Sequence, residues 1–200
     1  MALANSLAAS SGAPLDEHHP SAEFRHPSGL LVVAAIPPLS LEGPTVVIRK
    51  PLPAPSALKK LVDDETLSAP MLKFLEAVLK VPVNLIVAGN RGSDRTSFLA
   101  SLLGAIPTGE RLALVERFQE LRVQRPRLVR LQTKGACDGE AGLSYGDVLD
   151  LAARLRPDRI VASELPEGEL SRAVALASGG QTLLATMHAT SPSDVLARIE

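Results

Sequence analysis

Four short stretches of this 200-residue chain carry the residue types that phosphate chemistry uses. The first is Gly89-Asn90-Arg91-Gly92-Ser93-Asp94-Arg95-Thr96. A phosphate-binding loop has the form Gly-x-x-x-x-Gly-Lys-Ser/Thr between a strand and a helix. Its glycines let backbone N–H groups turn inward around the phosphates, its lysine neutralises them, and its hydroxyl holds Mg²⁺. Gly89 and Thr96 stand at the outer positions, but Asp94 replaces the second glycine and Arg95 the lysine. A polar turn ahead of a helix is therefore an open alternative. The second stretch is Leu112-Ala113-Leu114-Val115-Glu116, with Glu120 following. These carboxylates suit polarisation of water or support of a metal's hydration shell, or they are solvated acids where a strand emerges. The third is Ile160-Val161-Ala162-Ser163-Glu164. A carboxylate just past an apolar strand is placed to hold Mg²⁺-bound water or to act as a general base. The fourth, Leu184-Ala185-Thr186-Met187-His188, ends on a histidine that either contacts a γ-phosphate or is structural. Each stretch has a bland reading alone; four polar strand ends in this order are much less expected by chance.

Such residues need elements that end where the chemistry happens. From Leu58 onward the pattern alternates between helix and strand. Ser68-Ala69-Pro70 reads as a helix start, with Met71, Leu72, Leu75, Val78 and Leu79 on one face. Val83 to Ala88 is a continuous apolar run, the pattern of a strand buried on both sides. Thr96 to Leu103 reads as a helix, Leu112 to Val115 and Leu128 to Leu131 as strands. Ser144 opens a helix with Asp147 as a capping-box partner. Ile160 to Ala162 and Leu183 to Met187 are strands separated by a helix over Glu167 to Ala177, and a last helix opens near Ser193. Alternation of this kind predicts an α/β domain, an open and mostly parallel sheet with helices on both faces. Ligands on such sheets bind at the carboxyl ends of the strands, where all four stretches fall.

The region before residue 58 is different. Residues 1–28, rich in Ala, Ser, Pro and His and without periodicity, are expected to form a disordered lead-in. Residues 29–52 hold two strand-like runs, Leu30 to Ile36 and Thr45 to Arg49, too little for a stable unit alone, so the region leans on something else or is a partial remnant of a larger N-terminal domain. Pro53 and Pro55 make residues 53–57 a stiff linker. Residues 58–200 are the α/β domain.

Composition narrows the partners. The net charge is -1, from 21 basic and 22 acidic residues, which gives no electrostatic reason to expect nucleic acid or an anionic membrane. Aromatic residues are 2% of the chain, too few for base-stacking platforms. The start, Met1-Ala2-Leu3-Ala4-Asn5-Ser6-Leu7, lacks the basic region of a secretory leader, and no apolar run approaches the ~20 residues of a membrane span. Cys137 is the only cysteine, which excludes an internal disulfide and is expected to be a free surface thiol. His18, His19 and His26 lie in the lead-in and are assigned no metal. A cytoplasmic protein is the expectation, without membrane insertion.

The chain resembles the CpaF-like branch of the bacterial type II/type IV secretion ATPases, the motor subunits of Tad-type pilus assembly and related secretion machines. The resemblance spans about residues 28–200. It begins at Ile36-Pro37-Pro38 and Gly43-Pro44-Thr45-Val46-Val47-Ile48-Arg49-Lys50. It continues through the phosphate loop, Glu116 and Glu120 as two acids of an Asp box, Leu155-Arg156-Pro157-Asp158-Arg159-Ile160-Val161 through Glu164, and Thr186-Met187-His188-Ala189 with Ser191-Pro192. It implies a RecA-like P-loop domain, C-terminally shorter than the family's, and a homo- or hetero-hexamer with family ATPase subunits that works against an inner-membrane secretion or pilus platform protein. It also implies ATP and Mg²⁺ as cofactors. Gly89, Gly92, Ser93, Arg95 and Thr96 would bind nucleotide, Thr96 would hold Mg²⁺, and Glu116, Glu120, Glu164 and His188 would be catalytic.

The departures from that family concentrate in the site. Besides Asp94 and Arg95, Arg117 stands for the acid after Glu116, Pro166 for an arginine two residues after Glu164, Gly179-Gly180 for a Gly-His pair, and Leu31 for an arginine that reaches the nucleotide. A carboxylate at about 5 Å from a phosphate charge repels it by roughly 3 kcal/mol at an effective dielectric near 20, on the order of a hundredfold in affinity. Arg95 keeps the charge of lysine, but its planar fork does not replace a compact ammonium. Arg91 and Arg117 are candidates to supply compensating positive charge, and a salt bridge of either with Asp94 would fill the empty site instead of rescuing it. The sequence therefore supports a degenerate subunit with weak nucleotide binding and little turnover, with an active ATP-hydrolysing motor as the alternative. A phosphate-binding regulator outside secretion is a third reading.

Overall fold

A computed structural model describes residues 2–90, 92–134 and 142–199. Arg91 and Cys137 lie outside the described residues, and with them the expectations that Arg91 offsets Asp94 and that Cys137 is a surface thiol. The chain divides into two compact units, one running up to Leu52 and including Phe118–Glu120, the other starting at Pro53.

The first unit is built on helix α1 (Ala2–Ser10) and three antiparallel strands in the order β1 (Ser21–Arg25), β2 (Leu31–Ala35), β3 (Thr45–Arg49). Ala4 and Ala8 lie one turn apart and are both buried, and Ala8 packs with Phe24, Val32 and Ala34. This corrects the expectation of a disordered lead-in over residues 1–28. The helix and β1 are held by docking on β2, a non-local contribution that weak local periodicity does not announce. With β1 paired to β2, the sheet has the three strands that independent stability needs.

The second unit carries α2 (Leu58–Asp63), α3 (Ala69–Val78), β4 (Leu85–Gly89), α4 (Arg95–Ala105), β5 (Leu112–Glu116), β6 (Leu128–Gln132), α5 (Tyr145–Arg154), β7 (Arg159–Ala162), a 3-10 turn (Glu167–Glu169), α6 (Leu170–Ser178), β8 (Thr182–His188) and α7 (Pro192–Ile199). The strands form one parallel sheet in the order β4-β8-β7-β5-β6. This is the α/β architecture expected. Successive residues of a strand feed opposite faces, as the strand period of two requires. Ala113 and Val115 pack with Val148, Leu149 and Ile160, whereas Leu112 and Leu114 pack with Leu99, Leu102 and Leu103. Every residue of β5 and β7 is buried. β4 departs from its expected burial on both sides: it is an edge strand, and all five of its residues are half-buried. Its apolar run packs inward against α4 and β8 while one backbone edge takes no strand among the described residues.

Two terminal signals act as the sequence suggests. Ser68 accepts the N–H of Met71 ahead of α3. At α5 the Ser144 hydroxyl accepts the N–H of Asp147, whose carboxylate takes the N–H of Ser144, a closed capping box. At the amino end of β7, Arg159 is 2% exposed and bonds Glu110 through Nε (2.5 Å) and Nη2 (3.0 Å) and the Leu79 carbonyl through Nη2 (2.8 Å). No helix among the described residues is long and apolar enough to cross a membrane.

Candidate functional site

The carboxyl ends of β4, β8 and β7 lie side by side, and their register sets the site. Gly89, the last residue of β4, pairs with His188, the last of β8. Ala162 ends β7 opposite Ala185, and Glu164 follows two residues later. Between β4 and α4 the loop turns tightly. A Cβ on Gly89 would stand 2.5 Å from the Ser93 Oγ, so any larger residue there would require the Ser93 side chain to move. The Ser93 hydroxyl donates to the Asn90 carbonyl at 2.7 Å, and Gly92 has φ +81°.

Asp94 takes the left-handed conformation (φ 52°, ψ 27°) as the residue that caps α4, and its side chain makes no capping bond to the helix. Left-handed backbone is the glycine's conformation, which Asp tolerates better than most residues. The loop thus holds a glycine-like backbone conformation with a carboxylate-bearing residue. Arg95 opens α4, and its Nη1 is buried without a hydrogen-bond partner among the described residues. Thr96 is half-buried in the same first turn.

Arg95, Glu164, Glu167 and His188 line a common cavity of about 240 Å³. Three of the residues expected at the site therefore meet, although they come from α4, the segment after β7 and the end of β8. Glu167, which the sequence reading did not single out, is engaged by Arg198 of α7. Arg198 also bonds Asp194 one turn earlier (2.8 Å) and the His188 carbonyl (3.4 Å). The Arg198 guanidinium is held above its ordinary pKa, first by its bond to Asp194. The Asp194/Arg198 spacing of four residues was a legible signal of this pair; its link to Glu167, 31 residues away, was not.

Glu116 is placed differently. It is 2% exposed, and its carboxylate accepts the Leu121 N–H at 2.9 Å and faces Arg130 Nη1 at 3.4 Å. It closes the turn after β5 and does not line the cavity of Arg95 and Glu164. Glu120 belongs to the first unit, with Phe118 and Gln119. Two residues that sequence reasoning passed over brace the site: Tyr145, whose hydroxyl reaches the carbonyls of Ser163 (3.0 Å) and Val115 (3.3 Å), and Thr186, whose Oγ1 accepts the Glu164 N–H at 2.8 Å. Burial, reinforced by Glu116, Glu164 and Glu169, pushes the Tyr145 phenol far up, so it remains a donor.

A parallel sheet whose strand ends carry a tight glycine loop, a carboxylate and a histidine defines a P-loop-type nucleotide fold. The chain belongs to the type II/IV secretion system protein family, whose profile matches residues 6–200. It is similar to a Mycobacterium tuberculosis protein provisionally named for conjugal transfer, with 29% identity over 206 residues, 99% of this chain and 58% of that protein. It is similar also to the type IV secretion system protein VirB11 of Bartonella quintana, with 32% identity over 120 residues, 60% of this chain and 34% of the relative. Among solved structures, the Legionella pneumophila ATPase DotB superposes with a TM-score of 0.68 at 17% identity, covering 98% of this chain and 56% of that one. The VirB11 ATPase of the Brucella suis type IV secretion system, solved with sulphate, gives 0.57 at 22%, covering 98% and 64%. The chain thus spans about 58% of the length of the Mycobacterium relative.

Proposed function

We propose that this chain is a subunit of a secretion or pilus-assembly ATPase of the CpaF-like, Tad-type branch that binds nucleotide weakly and turns it over slowly or not at all. The observation that carries the reading is Asp94, a carboxylate in left-handed backbone at the mouth of α4. The amino end of a helix attracts anions, and here the protein supplies its own. Because Asp94 is exposed, water screens part of its repulsion of phosphate. The affinity penalty is about tenfold rather than a hundredfold.

The other side of the cavity fits an anion. Arg95 offers a buried guanidinium nitrogen that has no hydrogen-bond partner among the described residues, and His188 lines the same cavity. In the nucleotide-bound state Arg95 would contact phosphate, and Thr96 would hold the Mg²⁺ that neutralises it. Glu164 is the group placed to orient water. This half of the site favours the second reading, an active motor that powers pilus assembly or protein secretion. In either case the subunit works in the cytoplasm, in a homo- or hetero-hexamer with family ATPase subunits, against an inner-membrane platform protein. The relatives named as type IV secretion system proteins support a role in secretion.

The test is thermal unfolding with and without millimolar Mg-ATP, beside an assay of phosphate release. A ligand present at its Kd stabilises by about 0.4 kcal/mol, roughly 1 °C for a chain of this size. A shift of about that size, with turnover at background, is expected. Brisk Mg²⁺-dependent phosphate release by the unaltered chain would overturn the reading. The double reversal Asp94→Gly with Arg95→Lys should enlarge the shift; if turnover stays absent there, Arg117 and Pro166 account for the loss.

A further inference from the structure

The peptide unit joining Ser163 to Glu164 is held at both of its polar atoms by side-chain hydroxyls from other elements. The Tyr145 hydroxyl, at the start of α5, donates to the Ser163 carbonyl at 3.0 Å. The Glu164 N–H donates to Thr186 Oγ1, on β8, at 2.8 Å. Tyr145 is 8% exposed and Thr186 2%, so both side chains are buried; the Tyr145 bond is buried, and the Glu164 bond to Thr186 is partly buried. The flanking N–H groups are fixed as well, Ser163 on the Val115 carbonyl at 3.0 Å and Leu165 on the Thr186 carbonyl at 2.8 Å. Val115 O already accepts that N–H, so the single phenolic proton is best used on Ser163.

The residue so gripped is in an unfavourable conformation. Glu164 has φ 55°, left-handed backbone that is uncommon for a residue with a long side chain and costs free energy that its surroundings must offset. Glu164 follows the buried strand β7 and lines the cavity shared with Arg95 and His188. We infer that Tyr145 and Thr186 are positioning residues, a pair of hydroxyls that hold Glu164 left-handed and so keep its carboxylate in that cavity. Neither hydroxyl touches the cavity itself. The inference rests on the proposed nucleotide site for its consequence, but the clamp can be measured without nucleotide.

The experiment is amide hydrogen exchange by NMR on the full chain, read at Glu164 with Ile160 and Leu184 as controls in the neighbouring strands. Thr186→Val keeps the volume of the side chain and removes the acceptor, so exchange at Glu164 should rise at least tenfold while the controls move by less than about threefold. Thr186→Ser should restore the protection. Tyr145→Phe should also speed Glu164, by freeing the Ser163 carbonyl. Where Tyr145→Phe does not fold, the Thr186 pair decides alone. Uniform acceleration at all three amides, or no change at Glu164, overturns the clamp. Mg-ATP added to the same samples should shift the Glu164 resonance in the unaltered chain and in Thr186→Ser but not in Thr186→Val. A nucleotide-silent unaltered chain would defeat the nucleotide-site reading and leave the exchange result to decide the clamp.

Discussion

At position 94 charge and backbone shape are separable, because asparagine and glycine both accept left-handed backbone and only aspartate is anionic. Asp94→Asn removes the charge and keeps a side chain in the loop. It is expected to tighten Mg-ATP binding about tenfold by isothermal titration, with the melting temperature of the free protein unchanged. Asp94→Gly should tighten binding further, since no Cβ then stands beside the phosphates. Equal affinity in Asp94→Asn and the unaltered chain would show that the loop's obstacle is not its charge. The substitution itself was legible in the sequence, and so was the meeting of Arg95, Glu164 and His188, because each sits at a predicted strand or helix end. The fate of Glu116 was not. Its bonds go to Leu121 and Arg130, whose approach depends on how the chain returns into β6.

Among the elements, α5 and β7 were readable for physical reasons that can be tested. The Ser144 hydroxyl bonds the Asp147 carboxylate at 2.7 Å, which holds that carboxyl below the usual range. A carboxyl lowered on folding contributes stability above its ordinary value of about 3.9 and loses it as pH falls through the lowered one. Ser144→Ala should cost about 1 kcal/mol at neutral pH and bring the Asp147 titration, followed by NMR, back up towards the ordinary carboxylate. Arg159 belongs to a different class, buried and paired with Glu110. Arg159→Met leaves a carboxylate and the Leu79 carbonyl without their donor and should cost about 3–5 kcal/mol in guanidinium unfolding. Adding Glu110→Leu should return part of that loss. The helix α1 and the edge position of β4 were not readable, because alanine spacing and apolar runs say nothing about which neighbour a segment will find. The bracing by Tyr145 was hidden for the same reason: the carbonyl it bonds is 18 residues away.

For the whole chain, division into two compact units predicts that unfolding is not a single all-or-none event. The first unit rests on a small core of Ala8, Phe24, Val32 and Ala34, whereas the second packs both faces of a five-stranded sheet. The chain has one tyrosine and no tryptophan. Tyrosine fluorescence therefore reports on the second unit alone, and far-ultraviolet circular dichroism on both. In a guanidinium titration the dichroism should begin to change at lower denaturant than the fluorescence; superimposable curves would refute independent units. One further consequence follows from where the run Arg156-Pro157-Asp158-Arg159 sits. Asp158 accepts the Arg111 N–H at 2.6 Å and Arg159 grips Glu110, all at the strands' starting edge, away from the rim where Arg95 and His188 stand. The two ends of the sheet share none of these bonds, so a substitution at the rim should leave the Arg159–Glu110 and Asp158–Arg111 contacts, and the stability they carry, in place.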